Sequence, residues 1–413
     1  MARLQPFRAW RPPPELAAKV ASPPYDVLSS EEARGMADGN PLSFLHVGKP
    51  EIDLPPGTDV YSAAVYATGA ENLQRLIADG MLVREPAPAL YLYRQRMGDH
   101  VQIGVVAGAS IDEYEADLIK KHEHTRMAKE DDRTHHIDAL DAQTGPVFLT
   151  YKARPEIDAI VGRLAAAAPA NDFVAPDGIQ HVVWVISEPR ERDALVAAFA
   201  PVSVMYVADG HHRSAAATRV RAHRRQANPG HTGEEGYNFF LAVIFPHDQM
   251  QILDYNRVVK DLHGRTEDGL LAAVGEKFQV RAVERGKPDR ARCFGMYLGG
   301  RWYRLTAKAG SYPTDDPVRS LDVAILQDNL LGPLLGIGDP RKDERIDFVG
   351  GIRGLGELER LVDSGRFAAA FAMHPTSIEQ LFAVADAGRV MPPKSTWFEP
   401  KLRDGLIVRP LED

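Results

Sequence analysis

Apolar residues in this chain recur at two spacings, one typical of strands and one typical of helices. These spacings predict strands over 182–186, 202–208 and 239–245, helices over 72–78 and 156–167, and a β-hairpin in which 90–96 and 101–109 flank Met97-Gly98-Asp99-His100. Because buried strands alternate with helices around residue 200, we expect a partly parallel sheet. The predicted fold class is therefore α/β, of the mixed α+β kind.

Chain length and the second half of the pattern indicate more than one lobe. At 413 residues the chain is too long for one typical core. After residue 260, helix and strand signals alternate around a second hairpin at Gly299-Gly300. We therefore predict an N-terminal α/β lobe over 1–150, a core lobe over 151–265 and a C-terminal α/β lobe over 266–413.

The stretch 202–217, V-S-V-M-Y-V-A-D-G-H-H-R-S-A-A-A, predicts a buried strand, a tight turn and a helix. Gly210 permits the turn, and the alanines begin the helix. The first backbone amides of a helix have no intrahelical partners, and the helix dipole adds about half a positive charge there. The start of this helix is therefore a candidate phosphate site.

The side chains of this turn offer further chemistry. Arg213 could bind phosphate oxygens, and His211 and His212 could donate or carry a proton. Asp209, at the end of the strand, could hold a metal ion or a substrate hydroxyl. The alternative is an ordinary capping turn, in which Asp209 accepts bonds from helix amides.

A second polar segment, K-K-H-E-H-T-R-M-A-K-E-D-D-R, spans 120–133. One interpretation is a solvated helix over 119–131, since charged helices are common. The other is an active-site segment in which Glu123 supplies a carboxylate and Lys129 with Arg133 balances phosphate charge. Its histidines are two positions apart and therefore lack the four-residue spacing of zincins. Transition-metal binding by a cluster that includes His135 and His136 stays open.

Two proline-stiffened segments complete the polar motifs. In M-P-P-K-S-T-W-F-E-P-K (391–401), Lys394, Ser395 and Thr396 present an ammonium and two hydroxyls on a fixed loop. The loop resembles a phosphate-contact loop but lacks the Walker pattern. Its Trp397 and Phe398 could instead be core anchors. In the rigid turn 21–26, Tyr25 and Asp26 are presented, and Asp26 is a candidate helix cap.

Composition narrows the function classes. The chain has 44% apolar and 26% charged residues, as ordinary soluble proteins do. It has no long apolar window and no apolar signal region, so we expect a cytoplasmic protein without a membrane partner. A net charge of −8 argues against a nucleic-acid coating role. The single cysteine, Cys293, excludes internal disulfides and is expected to be buried.

The motifs together resemble the domain of unknown function 1015 family. They are R-P-P-P-E-L-A-A-K-V-A-S-P-P-Y-D-V (11–27), K-H-E-H-T with K-E-D-D-R (121–133), A-D-G-H-H-R (208–213), N-R-V-V-K (256–260) and M-P-P-K-S-T-W-F-E-P-K (391–401). The D-G-H-H-R turn also resembles the G-[E/C/H]-[R/H]-R box of the ParB and sulfiredoxin superfamily. That resemblance implies a strand, turn and helix core that holds nucleotide phosphates, embedded in a larger multi-lobed chain.

The superfamily implies three activities. Sulfiredoxin has a cysteine where this chain has His211, and ParB proteins carry a helix-turn-helix domain that is not evident here. Free-serine kinases phosphorylate a small amino acid, and an acidic protein with polar loops is compatible with that. The resemblance thus favours a nucleotide-dependent phosphotransferase that acts on a small hydroxylated metabolite. A nucleotide-binding regulatory module and a metal-dependent hydrolase that uses His122, His124, His211 and His212 are the alternatives.

The hypothesis assigns roles to individual residues. Catalytic candidates are Asp209, His211, His212 and Glu123, and nucleotide-binding candidates are Gly210, Arg213, Lys129, Arg133, Lys394, Ser395 and Thr396. Asp209 and Glu123 are also the candidate Mg²⁺ ligands. The expected cofactor is ATP or ADP with Mg²⁺, and the expected partners are a nucleotide and a small molecule, with no nucleic acid. A homo-oligomer is compatible with the sequence.

Overall fold

The computed structural model describes residues 2–412, which form two compact units. The first unit contains the described residues up to Met250 and those from Pro400 onwards, and the second is Gln251–Glu399. These units differ from the three predicted lobes, 1–150, 151–265 and 266–413. Strands from the first two lobes pair in one sheet, and the C-terminal segment returns to the first unit.

The described strands are β1 (Leu4–Gln5), β2 (Trp10–Arg11), β3 (Val83–Arg84), β4 (Leu90–Met97), β5 (His100–Ser110), β6 (Ile119–Lys120), β7 (Ala142–Gln143), β8 (Val147–Tyr151), β9 (Asn171–Val174), β10 (Gln180–Ile186), β11 (Met205–Asp209), β12 (Phe239–Pro246), β13 (Gln251–Leu253), β14 (Tyr255–Val259), β15 (Phe278–Val283), β16 (Cys293–Leu298), β17 (Arg301–Ala307), β18 (Ile346–Gly350), β19 (Ala369–Ala372), β20 (Trp397–Glu399) and β21 (Arg409–Pro410).

The described α-helices are α1 (Ala17–Val20), α2 (Ser30–Ala37), α3 (Leu45–Gly48), α4 (Ala63–Ala78), α5 (Ile111–Glu115), α6 (Met127–Leu140), α7 (Pro155–Leu164), α8 (Pro189–Phe199), α9 (His211–Ala227), α10 (Glu267–Lys277), α11 (Asp322–Leu326), α12 (Gly354–Asp363) and α13 (Ile378–Asp386). The mixed α/β prediction is confirmed. None of the described helices is long and apolar enough to cross a membrane.

The first unit is built on a mixed sheet with the order β6-β11-β8-β12-β5-β4-β10-β9, and β1 pairs with β5. β6 is parallel to β11 and β8 is parallel to β12, while β8 and β11 are antiparallel. The prediction of a partly parallel sheet is therefore confirmed. So is the hairpin, in which Met97 pairs with His100 across a two-residue turn.

Apolar patterning explains the centre of this unit. Every residue of β12, F-F-L-A-V-I-F-P, is buried, because the strand lies between β8 and β5 within the sheet. Beside the sheet, α6 and α9 meet through a small cluster formed by Ile137, Ala216, Val220 and Leu411. This packing fixes α9, whose first residue directly follows the β11 turn.

The second unit has a six-stranded sheet with the order β15-β17-β16-β19-β14-β18. Its described pairings are all antiparallel. Gly299 and Gly300 both adopt positive φ in the predicted hairpin between β16 and β17. Cys293, at the start of β16, is buried as expected. Leu358 and Leu361 of α12 pack against Val258 and Ala370.

The solvated-helix interpretation of 119–131 holds for 127–131, which begin α6, and is wrong for 119–126. Ile119 and Lys120 form β6 and pair with Met205 and Tyr206, and 121–126 form a loop before α6 begins at Met127. Pairing with β11 therefore overrides the local helical preference at the start of this segment. The prediction that Asp26 caps a helix is also wrong. Ser29 is the N-cap of α2 and forms a capping box with Glu32.

We predict that Gly405→Ala destabilises the first unit more than Gly39→Ala does. Both glycines adopt positive φ, a conformation that costs L-residues about 1–2 kcal/mol. A Cβ at Gly405 would also lie 2.5 Å from the Phe44 ring, whereas one at Gly39 would meet no atom within 4 Å. Overpacking should add about 1–3 kcal/mol. Urea unfolding of both variants measures the difference, and equal midpoints would contradict the close packing of the C-terminal segment.

Candidate functional site

The strand, turn and helix predicted at 202–217 are present. β11 ends at Asp209, Gly210 adopts φ +98° as the N-cap, and α9 begins at His211. This φ lies in the left-handed region that glycine tolerates best. A Cβ at Gly210 would also lie 3.3 Å from Val147 Cα. The 17-residue helix therefore starts at a turn for which glycine is well suited.

Asp209 forms an ion pair that the sequence did not indicate. Lys401 Nζ donates to Asp209 Oδ2 at 2.9 Å. The Asp209 side chain is 30% exposed and the Lys401 side chain is 18% exposed. Burial opposes ionisation, but the charges of Lys401 and Arg213 prevail and hold the pKa of Asp209 well below its usual range. The capping interpretation is wrong, because among the described residues the Asp209 carboxylate bonds to Lys401 and not to helix amides.

Arg213 points into the unit from the first turn of α9. Its Nη1 donates to the Pro146 carbonyl, and its Nη2 lies 3.3 Å from Asp26 Oδ2. Its guanidinium carbon is 5.8 Å from the centre of the Tyr25 ring. Burial opposes the charge, but Asp26 and Asp209 raise the pKa of Arg213 further. The guanidinium is thus a permanent buried cation that joins distant segments.

His211 and His122 form a buried pair. Their rings meet edge to face with centroids 4.5 Å apart, and the His122 amide donates to His211 Nε2 at 3.5 Å. Burial lowers the pKa of His122 to about 4, and burial together with His122 lowers the pKa of His211 strongly. Because Nε2 accepts, the proton of neutral His211 is on Nδ1, which lies 3.8 Å from Glu123 Oε2.

His212 contacts the other end of the 121–126 loop, to which His122 belongs. Its Nε2 accepts a hydrogen bond from the Arg126 amide at 3.1 Å, and burial lowers its pKa. The two adjacent histidines of α9 therefore both accept from backbone amides of 121–126. This docking brings Glu123, which is half exposed, to the start of the helix.

Lys129 and Arg133 lie on α6, which packs against α9. Arg133 Nη2 is 2.9 Å from Asp132, and its guanidinium carbon lies 4.0 Å from the centre of the Tyr25 ring. Lys129 Nζ is 5.8 Å from the centre of the Tyr61 ring. Arg133 therefore shares Tyr25 with Arg213, whereas Lys129 lies near a different ring, that of Tyr61.

Within the part of the chain that the structure describes, the histidine-rich segments do not form a metal cluster. Among residues 2–412, no three His, Cys, Asp or Glu side chains come together as a metal site. His136 is buried and its Nε2 bonds to the Val47 carbonyl at 2.8 Å, while His135 is exposed beside Tyr66. The metal hypothesis based on the histidines is thus without a ligand set in the described structure.

The candidate phosphate loop 391–396 belongs to the second unit. Lys394 adopts φ +60°, and its carbonyl accepts from Arg257 Nη2 at 2.8 Å. The Ser395 hydroxyl donates to the Pro392 carbonyl at 2.6 Å. Trp397 meets Tyr255 edge to face, in agreement with a core anchor. A role for Lys394, Ser395 and Thr396 in the site of the first unit stays a prediction.

A small cavity lies behind the start of α9. Its volume is about 30 Å³, and its polar lining includes Tyr25, Arg133, Thr144, Arg213 and Asp404. Asp404 is only 3% exposed, and burial raises the pKa of its carboxyl to about 7. The site therefore contains a carboxyl that changes charge near neutral pH.

Sequence reasoning missed two members of this site. Lys401 ends the quoted M-P-P-K-S-T-W-F-E-P-K motif, so the motif could have nominated it as a cation. Asp404 has no local signal, because only the return of the C-terminal segment brings it to Arg213. The sequence indicates a rigid turn at Tyr25 and Asp26, and the structure places both residues against Arg213.

Comparisons with known proteins give one family. The family model described as "Protein of unknown function (DUF1015)" matches residues 4–324. No curated protein matches the sequence.

The chain is also similar to several solved structures, at low sequence identity. SbnI with a C-terminal truncation, from Staphylococcus aureus, has a TM-score of 0.40 and 12% identity over 74% of this chain and 87% of that chain. A free serine kinase in complex with AMP has a TM-score of 0.35 and 11% identity over 71% and 86%. A conserved hypothetical protein from Pyrococcus furiosus has a TM-score of 0.36 and 12% identity over 74% and 95%.

We predict that Asp404→Asn changes how stability depends on pH. A carboxyl whose pKa rises from 3.8 to about 7 on folding binds its proton more tightly in the folded state. Its contribution is therefore fully present below about pH 4 and is lost as pH rises through 7. The asparagine variant lacks this loss, so its stability relative to wild type should increase between pH 4 and pH 8 by up to about 4 kcal/mol. Urea unfolding at both pH values measures this, and parallel curves would contradict it.

Proposed function

We propose that this chain, which belongs to the DUF1015 family of proteins of unknown function, is a nucleotide-dependent phosphotransferase that acts on a small hydroxylated metabolite. The observation that carries the proposal is the start of α9, where a positive-φ glycine opens a 17-residue helix beside the Asp209 and Lys401 ion pair. Phosphoryl transfer depends mainly on positioning and on charge neutralisation. The residues around this helix supply both.

Phosphate binding is assigned to the turn Gly210 to Arg213. Amides at a helix start are donors without intrahelical partners, and the helix dipole favours an anion there. Lys401 places an ammonium at the same turn, 2.9 Å from Asp209 Oδ2. A phosphate bound at this turn would therefore meet amide donors and a nearby cation.

In this proposal Arg213 contributes mainly its buried positive charge and does not need to contact the phosphate directly. Both terminal nitrogens of its guanidinium are engaged, one by Pro146 and one by Asp26. A direct contact with phosphate would require Nη2 to exchange Asp26 for the ligand. Without that exchange, Arg213 still contributes a buried positive charge close to the helix start. Arg133 and Lys129 on α6 would add positive charge on the same side.

The carboxylates of the site have different roles. Asp209 stays ionised because its pKa is well below the usual range, so it suits charge pairing and not proton uptake. Glu123 is half exposed and faces the Nδ1 proton of His211. We therefore assign the role of general base toward a substrate hydroxyl to Glu123. His211 orients that carboxylate, and His212 holds the loop by accepting from the Arg126 amide.

Asp209 and Glu123 are also the carboxylates that would hold Mg²⁺. This ion keeps several waters and is usually bound through one or two carboxylates together with substrate phosphates. Two carboxylates therefore fit the requirement without a three-ligand cluster. When bound, Mg²⁺ would neutralise negative charge on the phosphates. The expected nucleotide is ATP or ADP, and Lys394, Ser395 and Thr396 remain predicted phosphate contacts.

We predict that ATP or ADP with Mg²⁺ raises the melting temperature of the wild type and that Lys401→Met greatly reduces the shift. Ligand at about one hundred times its Kd should stabilise the fold by roughly 2.7 kcal/mol. Each variant is compared with its own ligand-free melting temperature, so destabilisation alone does not mimic lost binding. Arg225→Ala is the matched control, because it removes an exposed cation near the other end of α9.

Turnover is measured on the same proteins by ³¹P NMR, with ATP and with ADP as donor and with serine and related hydroxyl compounds as acceptors. Glu123→Gln should lose about a hundredfold or more in transfer rate, as expected for loss of a general base. Part of the nucleotide shift should remain, because Asp209 still offers a carboxylate to the Mg²⁺ of the bound nucleotide. A nucleotide shift without transfer in the wild type would favour a regulatory module. No shift with any nucleotide, or equal shifts in wild type and Lys401→Met, would contradict phosphate binding at α9.

A further inference from the structure

Asp404 is held in place by its backbone. Its amide donates to the Ser22 carbonyl at 3.0 Å, and the Ser22 amide donates to the Asp404 carbonyl at 3.1 Å. This pairing joins the C-terminal segment to the rigid turn that carries Tyr25 and Asp26. The carboxyl is also confined, because a Cβ on Gly145 would lie 3.1 Å from its Oδ1. Asp404 therefore has little freedom to turn toward solvent.

Two buried polar atoms of residues that line the cavity beside Asp404 have no hydrogen-bond partner among the described residues. These atoms are Oδ1 of Asp404 and Nε of Arg213, and both residues line the cavity. A volume of about 30 Å³ is enough for a water molecule but not for a metabolite. One water could accept from the arginine and donate to the carboxylate. The two groups thus share one small polar space.

The charged and titratable groups that face Asp404 come from several elements. Cations that favour its carboxylate form are Arg213 on α9, Arg133 on α6 and Arg403 on its own segment, and Asp26 opposes that form. Tyr25 and His136 also line the cavity. Both are neutral near pH 7, because burial raises the pKa of Tyr25 and lowers that of His136 to about 3. Of these groups, Asp404 is the one poised to change charge.

We propose that Asp404 is the proton-holding residue behind the α9 site, taking up a proton from solvent when an anion binds at the helix start and releasing it when the anion leaves. The step is simple protonation of a carboxylate to the neutral acid, and no other bond changes. Asp404 acts through Arg213 and is therefore a positioning residue. The proposal rests on the proposed function, because it requires a nucleotide phosphate at α9.

The coupling follows from a shared cation. With the site empty, Arg213 is balanced by Asp26 and by the nearby Asp209 and Asp404. A phosphate at the helix start adds negative charge, which makes a carboxylate at Asp404 less favourable. Proton uptake removes one of the competing charges and leaves more of the arginine charge for the ligand. By linkage, anion affinity must then fall as pH rises through the range in which empty-site Asp404 ionises.

Isothermal titration calorimetry with ADP and Mg²⁺ at pH 7, in two buffers with different ionisation enthalpies, tests the proposal. Protons taken up on binding are compared in wild type, Asp404→Asn and the control Asp79→Asn, which changes an exposed aspartate of the same unit. Wild type and Asp79→Asn should take up the same number of protons. Asp404→Asn should take up fewer, by up to about half a proton, since a carboxyl with a pKa of about 7 is half ionised at pH 7. Protonation of ADP itself cancels in the comparison.

The outcomes separate this proposal from the proposed function. ADP binding with equal proton uptake in wild type and Asp404→Asn would overturn the coupling between Asp404 protonation and anion binding. It would not contradict the proposed phosphotransferase function. Affinity in Asp404→Asn should fall less between pH 6.5 and pH 8.5 than in wild type, which a purely structural role would not produce. Absence of ADP binding in all three proteins would overturn both proposals. The unfolding comparison of Asp404→Asn would then still decide whether Asp404 holds a proton in the free protein.

Discussion

The buried guanidinium of Arg213 organises the first unit around one charge. A cation removed from water is costly unless it is paired and hydrogen-bonded. Here the pairing groups come from distant parts of the chain, namely Asp26 near the N-terminus and the Pro146 carbonyl just before β8. Asp404 of the C-terminal segment lines the cavity behind the same side chain. The requirement to balance one arginine therefore brings three segments to the start of α9.

That location is electrostatically unusual. A helix start is already the positive end of the dipole, so an arginine in the first turn adds to an unfavourable charge. Carboxylates at Asp26 and Asp209 offset it, and Lys401 in turn pairs with Asp209. The two histidines stay neutral by burial and use their ring nitrogens to hold the 121–126 loop. In the proposed function, this balance of charge next to helix amides favours a phosphate ligand, and the charge of Asp404 affects how well that ligand binds.

Sequence patterns predict correctly those parts of the site that are formed by residues adjacent in the chain. The strand, Gly210 and the Ala-rich helix are contiguous in sequence, so the turn at 209–211 was predictable, as was the hairpin at 97–100. The helix interpretation of 119–131 is wrong for 119–126, because pairing of β6 with β11 is not visible in helical spacing. Lys401 and Asp404 are about 190 residues from the turn in sequence, and no periodicity connects positions that far apart. Lys394, chosen for its loop chemistry, lies in the second unit.

The most direct test of phosphate binding at α9 is a crystal structure of the protein with ADP and Mg²⁺. We expect phosphate oxygens within hydrogen-bonding distance of the backbone amides of His211 and His212, with Lys401 near the bound phosphates. Ordered ADP elsewhere in the protein, with only solvent at the start of α9, would contradict the proposed site.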